Sequence, residues 1–110
     1  MMLFPTKEKV EREIDALLTR FERIEARAQA NVEESNKFAS LLGPNEIAET
    51  LLRNTQSIIH NLHEAGAQAR FGLRPIRSIA NDLPAVAKVA SQYAGLLDNM
   101  DFARKAGERA

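Results

Sequence analysis

The stretch that decides the fold is residues 6–42, which read TKEKVEREIDALLTRFERIEARAQANVEESNKFASLL. Small or apolar side chains recur in it at alternating steps of four and three residues, so they fall on one face of a single helix. This heptad seam is flanked mostly by charged residues, and in water it needs a cover of other apolar side chains. Its members are Val10, Ile14, Leu17, Phe21, Ile24, Ala28, Asn31, Ser35, Phe38 and Leu42.

The composition is typical of one small domain. The 110 residues carry 15 basic and 15 acidic side chains and no cysteine. Balanced charge gives no overall field that would hold nucleic acid or anionic lipid, and the lack of cysteine removes disulfides, thiolate nucleophiles and cysteine-based zinc sites. No apolar run approaches the roughly 20 residues of a membrane span. We therefore expect a single cytoplasmic domain over residues 1–110 with no membrane span.

Capping and stop signals divide the chain into helices. Thr6 is a candidate N-cap, and Gly43 with Pro44 stops the first helix, which is predicted over residues 6–42. Asn45 caps a second helix over residues 45–70. The apolar stripe of this second helix is broad enough to touch two neighbours, which predicts a central position. The stripe consists of Ile47, Leu51, Leu52, Thr55, Ile58, Ile59, Leu62, Ala65 and Ala69.

A turn at Gly43 and Pro44 predicts an antiparallel hairpin in which facing positions have residue numbers that sum to about 87. Phe21 then lies opposite Gly66. Asn31 comes level with Thr55 and its polar neighbours, where a buried polar layer would fix the register. Because the second helix is the shorter one, this register leaves the beginning of the first helix without a cover.

The remaining chain predicts a linker over residues 71–75 and a helical region over residues 76–97. Gly72 and Pro75 mark the linker, and Leu83 with Pro84 interrupts the helical region. Residues 98–110 form a tail that we expect to fray. The predicted fold is therefore all-α: a long antiparallel helical hairpin with a third, proline-interrupted helical region packed on it, in a bundle that forms a dimer through the first helix and the exposed part of the second.

The sequence contains no assembled catalytic motif. No Gly-x-Ser-x-Gly elbow occurs, and the five glycines form no loop that could cradle a phosphate. His60, His63 and Glu64 could face one metal ion, but the further ligands that such a site needs are not indicated. We predict no enzyme activity, no metal and no cofactor.

Two sets of residues are candidates for binding. Val10, Ile14 and Leu17 lie beyond the predicted reach of the second helix, and with Phe71 they form the predicted partner-binding site; the alternative is that these three apolar residues belong to the core of the chain or of a dimer. Arg70, Arg74 and Arg77 are the only local excess of charge, since residues 70–82 hold three basic residues and one acidic residue. They could contact an anion or a nucleic acid.

The function predicted from these features is that of a non-enzymatic helical interaction module, such as a small regulator, adaptor or assembly chaperone. It would form a homodimer and bind another protein by helix packing. The alternative is a nucleic-acid-associated accessory protein that uses the arginines of residues 70–77.

Overall fold

A computed structural model describes residues 5–37 and 45–109, with side chains through residue 102. These residues form three helices: α1 (Lys7–Lys37), α2 (Glu46–Arg70) and α3 (Ile76–Arg109). The predicted all-α bundle is thereby confirmed. The predicted end of the first helix at Leu42 and its stop at Gly43 and Pro44 lie outside the described residues.

Helix α1 begins at its predicted cap and buries its heptad seam. The backbone N–H of Lys9 donates to Oγ1 of Thr6 at 3.1 Å, which satisfies a donor at the open helix end. Every described seam position from Val10 to Asn31 is buried, Ser35 is half-buried, and Leu18 beside the seam is buried as well. One stripe of α1 therefore supplies much of the core.

Helix α2 runs antiparallel to α1, but its register differs from the predicted one. Ile14 Cγ2 lies 3.7 Å from the position that a Cβ on Gly66 would take, and Arg70 Nε lies 4.0 Å from Glu11 Oε1. The residue numbers of these pairs sum to about 80 rather than 87, a shift of about two helical turns. As a result, the end of α2 covers the beginning of α1, which the sequence predicted to be uncovered.

The shifted register also removes the predicted polar layer. Asn31 Nδ2 donates to the backbone carbonyl of Arg27 on its own helix at 3.0 Å. Thr55 is fully buried, and its Oγ1 has no hydrogen-bond partner among the described residues. Asn31 and Thr55 therefore share no polar layer, because Asn31 bonds within its own helix and the Thr55 hydroxyl has no described partner.

Helix α3 continues without a break through Pro84 and on to Arg109. The predicted interruption at Pro84 is therefore wrong, and the helical backbone extends beyond the predicted end at residue 97. The fraying expected from residue 98 stays a prediction. Helix α3 passes through Pro84 because a second heptad stripe keeps its phase across the proline, so the turns on both sides pack on the same neighbour. Its members are Ile76, Ile79, Leu83, Val86, Ala90, Tyr93, Leu97 and Met100, and all of them are buried or half-buried.

Helix α1, rather than α2, is the central helix. It packs extensively on both other helices, whereas α2 and α3 have little contact with each other. Arg20 binds Ser91, and Arg27 binds Asp98, at the same offset of 71 residues, so α3 lies parallel to α1. The molecule is long and thin, with extents of 56 × 27 × 15 Å and a radius of gyration of 17.3 Å. A compact chain of this length would have a radius of about 13 Å.

Candidate partner-binding surfaces

The three apolar residues predicted to bind a partner at the start of α1 are part of the core. Val10 and Ile14 are each 1 % exposed and Leu17 is 6 % exposed. The shifted α1–α2 register explains this burial, since Glu11 and Ile14 lie beside Arg70 and Gly66 at the end of α2. The described chain therefore covers them itself, which agrees with the alternative that they are core residues.

The fourth predicted residue, Phe71, lies in a turn that exposes two large apolar side chains. The N–H of Leu73 donates to the carbonyl of Gln68 at 2.9 Å, and the N–H of Gly72 donates to that of Ala69 at 3.4 Å. With Gly72 at φ +64°, this is a Schellman motif at the end of α2. Phe71 is 67 % exposed and Leu73 is 73 % exposed. We call these two residues the apolar turn.

Leu73 was missed in the sequence because it was assigned to a linker. In many Schellman motifs the residue after the glycine packs on the helix residue to which it donates. Here that helix residue is the polar Gln68, and Leu73 stays largely exposed. The signal that could have identified it is the pair of large apolar residues on either side of Gly72.

The three arginines take different roles. The Arg70 guanidinium lies 5.9 Å from the centroid of the Phe71 ring, which is within cation–π distance. Arg74 is held inside the chain: its Nη2 lies 2.6 Å from Asp82 Oδ2, and its Nε donates to Ser78 Oγ at 3.0 Å. Arg77 lines a groove between α1 and α3. Only Arg70 is therefore placed beside the apolar turn by these contacts.

A groove of about 730 Å³ lies between α1 and α3. Val10 and Leu17, which form part of its floor, are buried, and the rest of its apolar lining is mostly alanine and proline. Arg20, at its edge, donates to Ser91 Oγ at 3.1 Å and so ties the two helices together. The groove is thus a shallow depression between two packed helices.

A second apolar surface lies between α2 and α3, which have little contact with each other. Two hollows of about 390 and 190 Å³ lie along it. Ile47 is 63 % exposed and Leu96 is 44 % exposed, so the prediction that Ile47 belongs to a buried stripe is wrong. We call this surface the α2–α3 face; its apolar residues are Ile47, Leu51, Ile58, Val86, Tyr93 and Leu96.

The two histidines lie on an open surface of α2. His60 Nε2 lies 3.2 Å from Glu64 Oε1, and both side chains are well exposed. Among the described residues no three histidine, aspartate or glutamate side chains are grouped so that they could hold a metal ion. The structure thus brings no further described metal ligand to His60, His63 and Glu64.

Comparison with protein-family models, with curated proteins and with solved structures gave no match. In the part of the chain that the structure describes, no helix has the length and apolar character needed to cross a bilayer.

Proposed function

We propose that this protein is a non-enzymatic interaction module that binds another protein through helical surfaces, with the apolar turn as its main contact. The observation that carries this proposal is the exposure of Phe71 and Leu73 on a well-defined turn. Burying a side chain of this size contributes about 1.5–3 kcal/mol. The hydrogen bonds of the Schellman motif hold the turn in one conformation, so binding would cost little conformational entropy of the turn's backbone.

The charge beside the turn favours a partner with acidic groups around an apolar pocket. Arg70 lies over one side of Phe71, and its guanidinium can reach a carboxylate at the edge of a pocket that holds the ring. Its ion pair with Glu11 is long, at 4.0 Å, and the Arg70 side chain is 64 % exposed. The pair is therefore weak enough to exchange for a partner's carboxylate.

The contacts of Arg74 weigh against the nucleic-acid alternative. A protein that binds a phosphate backbone needs several cations that are free to replace counterions. Arg74 is instead neutralised by Asp82 and bonded to Ser78. A nucleic-acid column at low salt separates the two functions, because the interaction module should pass through it without retention.

The direct test is site-specific photocrosslinking in the source cells, with a photoreactive phenylalanine at position 71. Phe102 provides the matched control, since it is the same residue type, is 76 % exposed, and lies on α3 at the other end of the molecule. We expect one discrete set of crosslinked proteins from position 71 that is absent from position 102 and is lost in Leu73→Ser. The same products from both positions, or none from position 71, would contradict the proposal.

The partner identified in this way permits a quantitative test. Phe71→Ser should weaken its binding by 10-fold to 100-fold, or about 1.4–2.8 kcal/mol, which is the usual effect of removing an aromatic anchor. The same change should leave the free energy of unfolding within about 0.5 kcal/mol, because the side chain is largely in solvent.

A further inference from the structure

We infer that the α2–α3 face is the surface on which a second copy of this chain docks. The inference is separate from the proposed function, because the apolar turn is a different surface at one end of the molecule. It starts from the packing of the helices. Both α2 and α3 pack on α1 but have little contact with each other, so the apolar residues between them are covered from one side only.

Within the described residues, the apolar side chains of this face lack a cover on the side away from α1. Stable domains bury their apolar stripes between two packed layers. The stripe of α3 is half-buried at Val86 and Tyr93, and Ile47 and Leu96 on the same face are open to solvent. A second layer on this side would complete their burial.

The distribution of charge identifies the second layer as another copy of the chain. In a two-fold dimer a patch meets itself, so a charged patch would place like charges together. The outer surface of α1 is rich in charged residues, whereas more than half of the polar residues that line the α2–α3 face are uncharged. Amide and hydroxyl groups both donate and accept hydrogen bonds, so they can pair with their own copies. They are Thr50, Asn54, Asn61, Gln92 and Asn99.

The charged residues at the edges of the face are largely neutralised within the chain. Asp82 is bound by Arg74 at 2.6 Å, and Asp98 is bound by Arg27 at 2.8 Å. Charge depletion at the centre of a surface is also the compositional mark of protein interfaces. Glu46 at the start of α2 is the exception, since it has no ion pair among the described residues, but it lies at one end of the face. A second copy therefore meets little unpaired charge at the centre of the face.

The size of the face fits a dimer. The two hollows of the face, with a third of about 620 Å³ beside Leu96, extend along α3 from Ile79 to Asn99. This is about 30 Å at 1.5 Å per residue, and two adjacent helices are about 20 Å wide. The resulting area of about 600 Å² per copy is close to the roughly 800 Å² that each partner buries in a standard interface. We therefore expect a dimer that dissociates on dilution.

The test is light scattering coupled to size-exclusion chromatography on the full chain, over a dilution series. We expect a dimer at high concentration and a monomer at low concentration. The double variant Ile47→Glu, Leu96→Glu should remain monomeric throughout. The matched control is Leu73→Glu, which places the same charge on an exposed leucine of the apolar turn and should leave the dimer unchanged.

A milder variant keeps the test valid if the double variant fails to fold. Leu96→Ala removes only part of an exposed side chain and should raise the dimer dissociation constant at least about 3-fold with unchanged helicity. The inference would be overturned by a monomer at every concentration, which would leave the face to a different protein. It would also be overturned by a dimer that Leu73→Glu dissociates, or by one that neither variant on the face weakens.

Discussion

The guanidinium of Arg27 on α1 donates to a carboxylate oxygen of Asp101 on α3, with Nη2 and Oδ2 2.9 Å apart. The same nitrogen donates to Asp98 at 2.8 Å. These bonds raise the pKa of Arg27 above its ordinary value, with Asp101 as the larger cause, followed by Asp98. Arg27, Asp98 and Asp101 thus form a polar link between the two parallel helices α1 and α3.

Arg27→Gln should lower the free energy of unfolding by about 0.5–1 kcal/mol, because the Arg27 side chain is 36 % exposed and solvent screens the interaction. Since the pKa is raised, the contribution is fully present below the ordinary arginine pKa and is lost only above the still higher folded value. The difference from wild type should therefore stay constant from about pH 6 to 9. Urea denaturation across this range measures it.

The matched control for this ion pair is Arg23→Gln, an exposed change one turn earlier on α1. It should alter stability by less than about 0.5 kcal/mol. An equal loss in both variants, or a loss in Arg27→Gln that does not shrink at high salt, would show that the ion pair is not its cause.

Thr55→Val should stabilise the protein by about 1 kcal/mol. Thr55 Oγ1 is buried and has no hydrogen-bond partner within residues 5–37 and 45–102, and valine has nearly the same shape without the polar group. Thr19→Val is the control, because Thr19 is exposed and its Oγ1 donates to the carbonyl of Asp15 at 3.1 Å. Thermal melts of the two variants compare them, and a destabilised Thr55→Val would indicate a hidden partner for the hydroxyl.

Pro84→Ala should raise the free energy of unfolding by about 1–3 kcal/mol. Within the continuous α3, proline has no N–H to donate to the carbonyl of Ala80, and its ring crowds the preceding turn. Pro75 precedes the helix, so Pro75→Ala should give no such gain and lose up to about 1 kcal/mol through the unfolded state. If Pro84→Ala lowers the free energy of unfolding instead, Pro84 interrupts the helical region, as the sequence predicts.

Two glycines should respond to alanine in opposite directions. Gly72 has φ +64°, where a Cβ is strained, so Gly72→Ala should lose about 1 kcal/mol. Gly95 lies inside α3, and none of the described atoms comes within 4 Å of an added Cβ, so Gly95→Ala should gain about 0.5–1 kcal/mol. Both melts need the same protein concentration, because association would shift the midpoint. A gain in Gly72→Ala would contradict the turn geometry at Gly72, and a loss in Gly95→Ala would contradict the open space around Gly95.

Local signals explain what the sequence predicted well. The seam of α1 and the caps at Thr6 and Asn45 depend on residues close in the chain, and the structure has them at the predicted positions: Asn45 Oδ1 accepts from the N–H of Ala48 at 3.1 Å. The spacing of apolar residues and the capping residues therefore suffice to predict these helices and where they begin.

What the sequence missed depends on how helices meet. The α1–α2 register is set by which side chains face each other, and a shift of two turns moved Val10, Ile14 and Leu17 from a predicted surface into the core. The predicted interruption at Pro84 rests on the local cost of a proline in a helix and leaves out the apolar stripe that continues past it. Ile47 and Leu96 are exposed where α2 and α3 have little contact with each other, and the apolar pattern of one helix does not show how closely two helices pack.

The central position of the first helix has a consequence for biosynthesis. Residues that bind each other across α1 and α3 are 71 positions apart. At the usual elongation rates, the ribosome needs roughly 4–14 s to add that length of chain. During this interval the nascent α1 has its polar face hydrated but lacks one of the two helices that cover its seam. The newly made chain is therefore open to chaperones, or to premature pairing with a neighbouring chain on the same messenger, until α3 emerges.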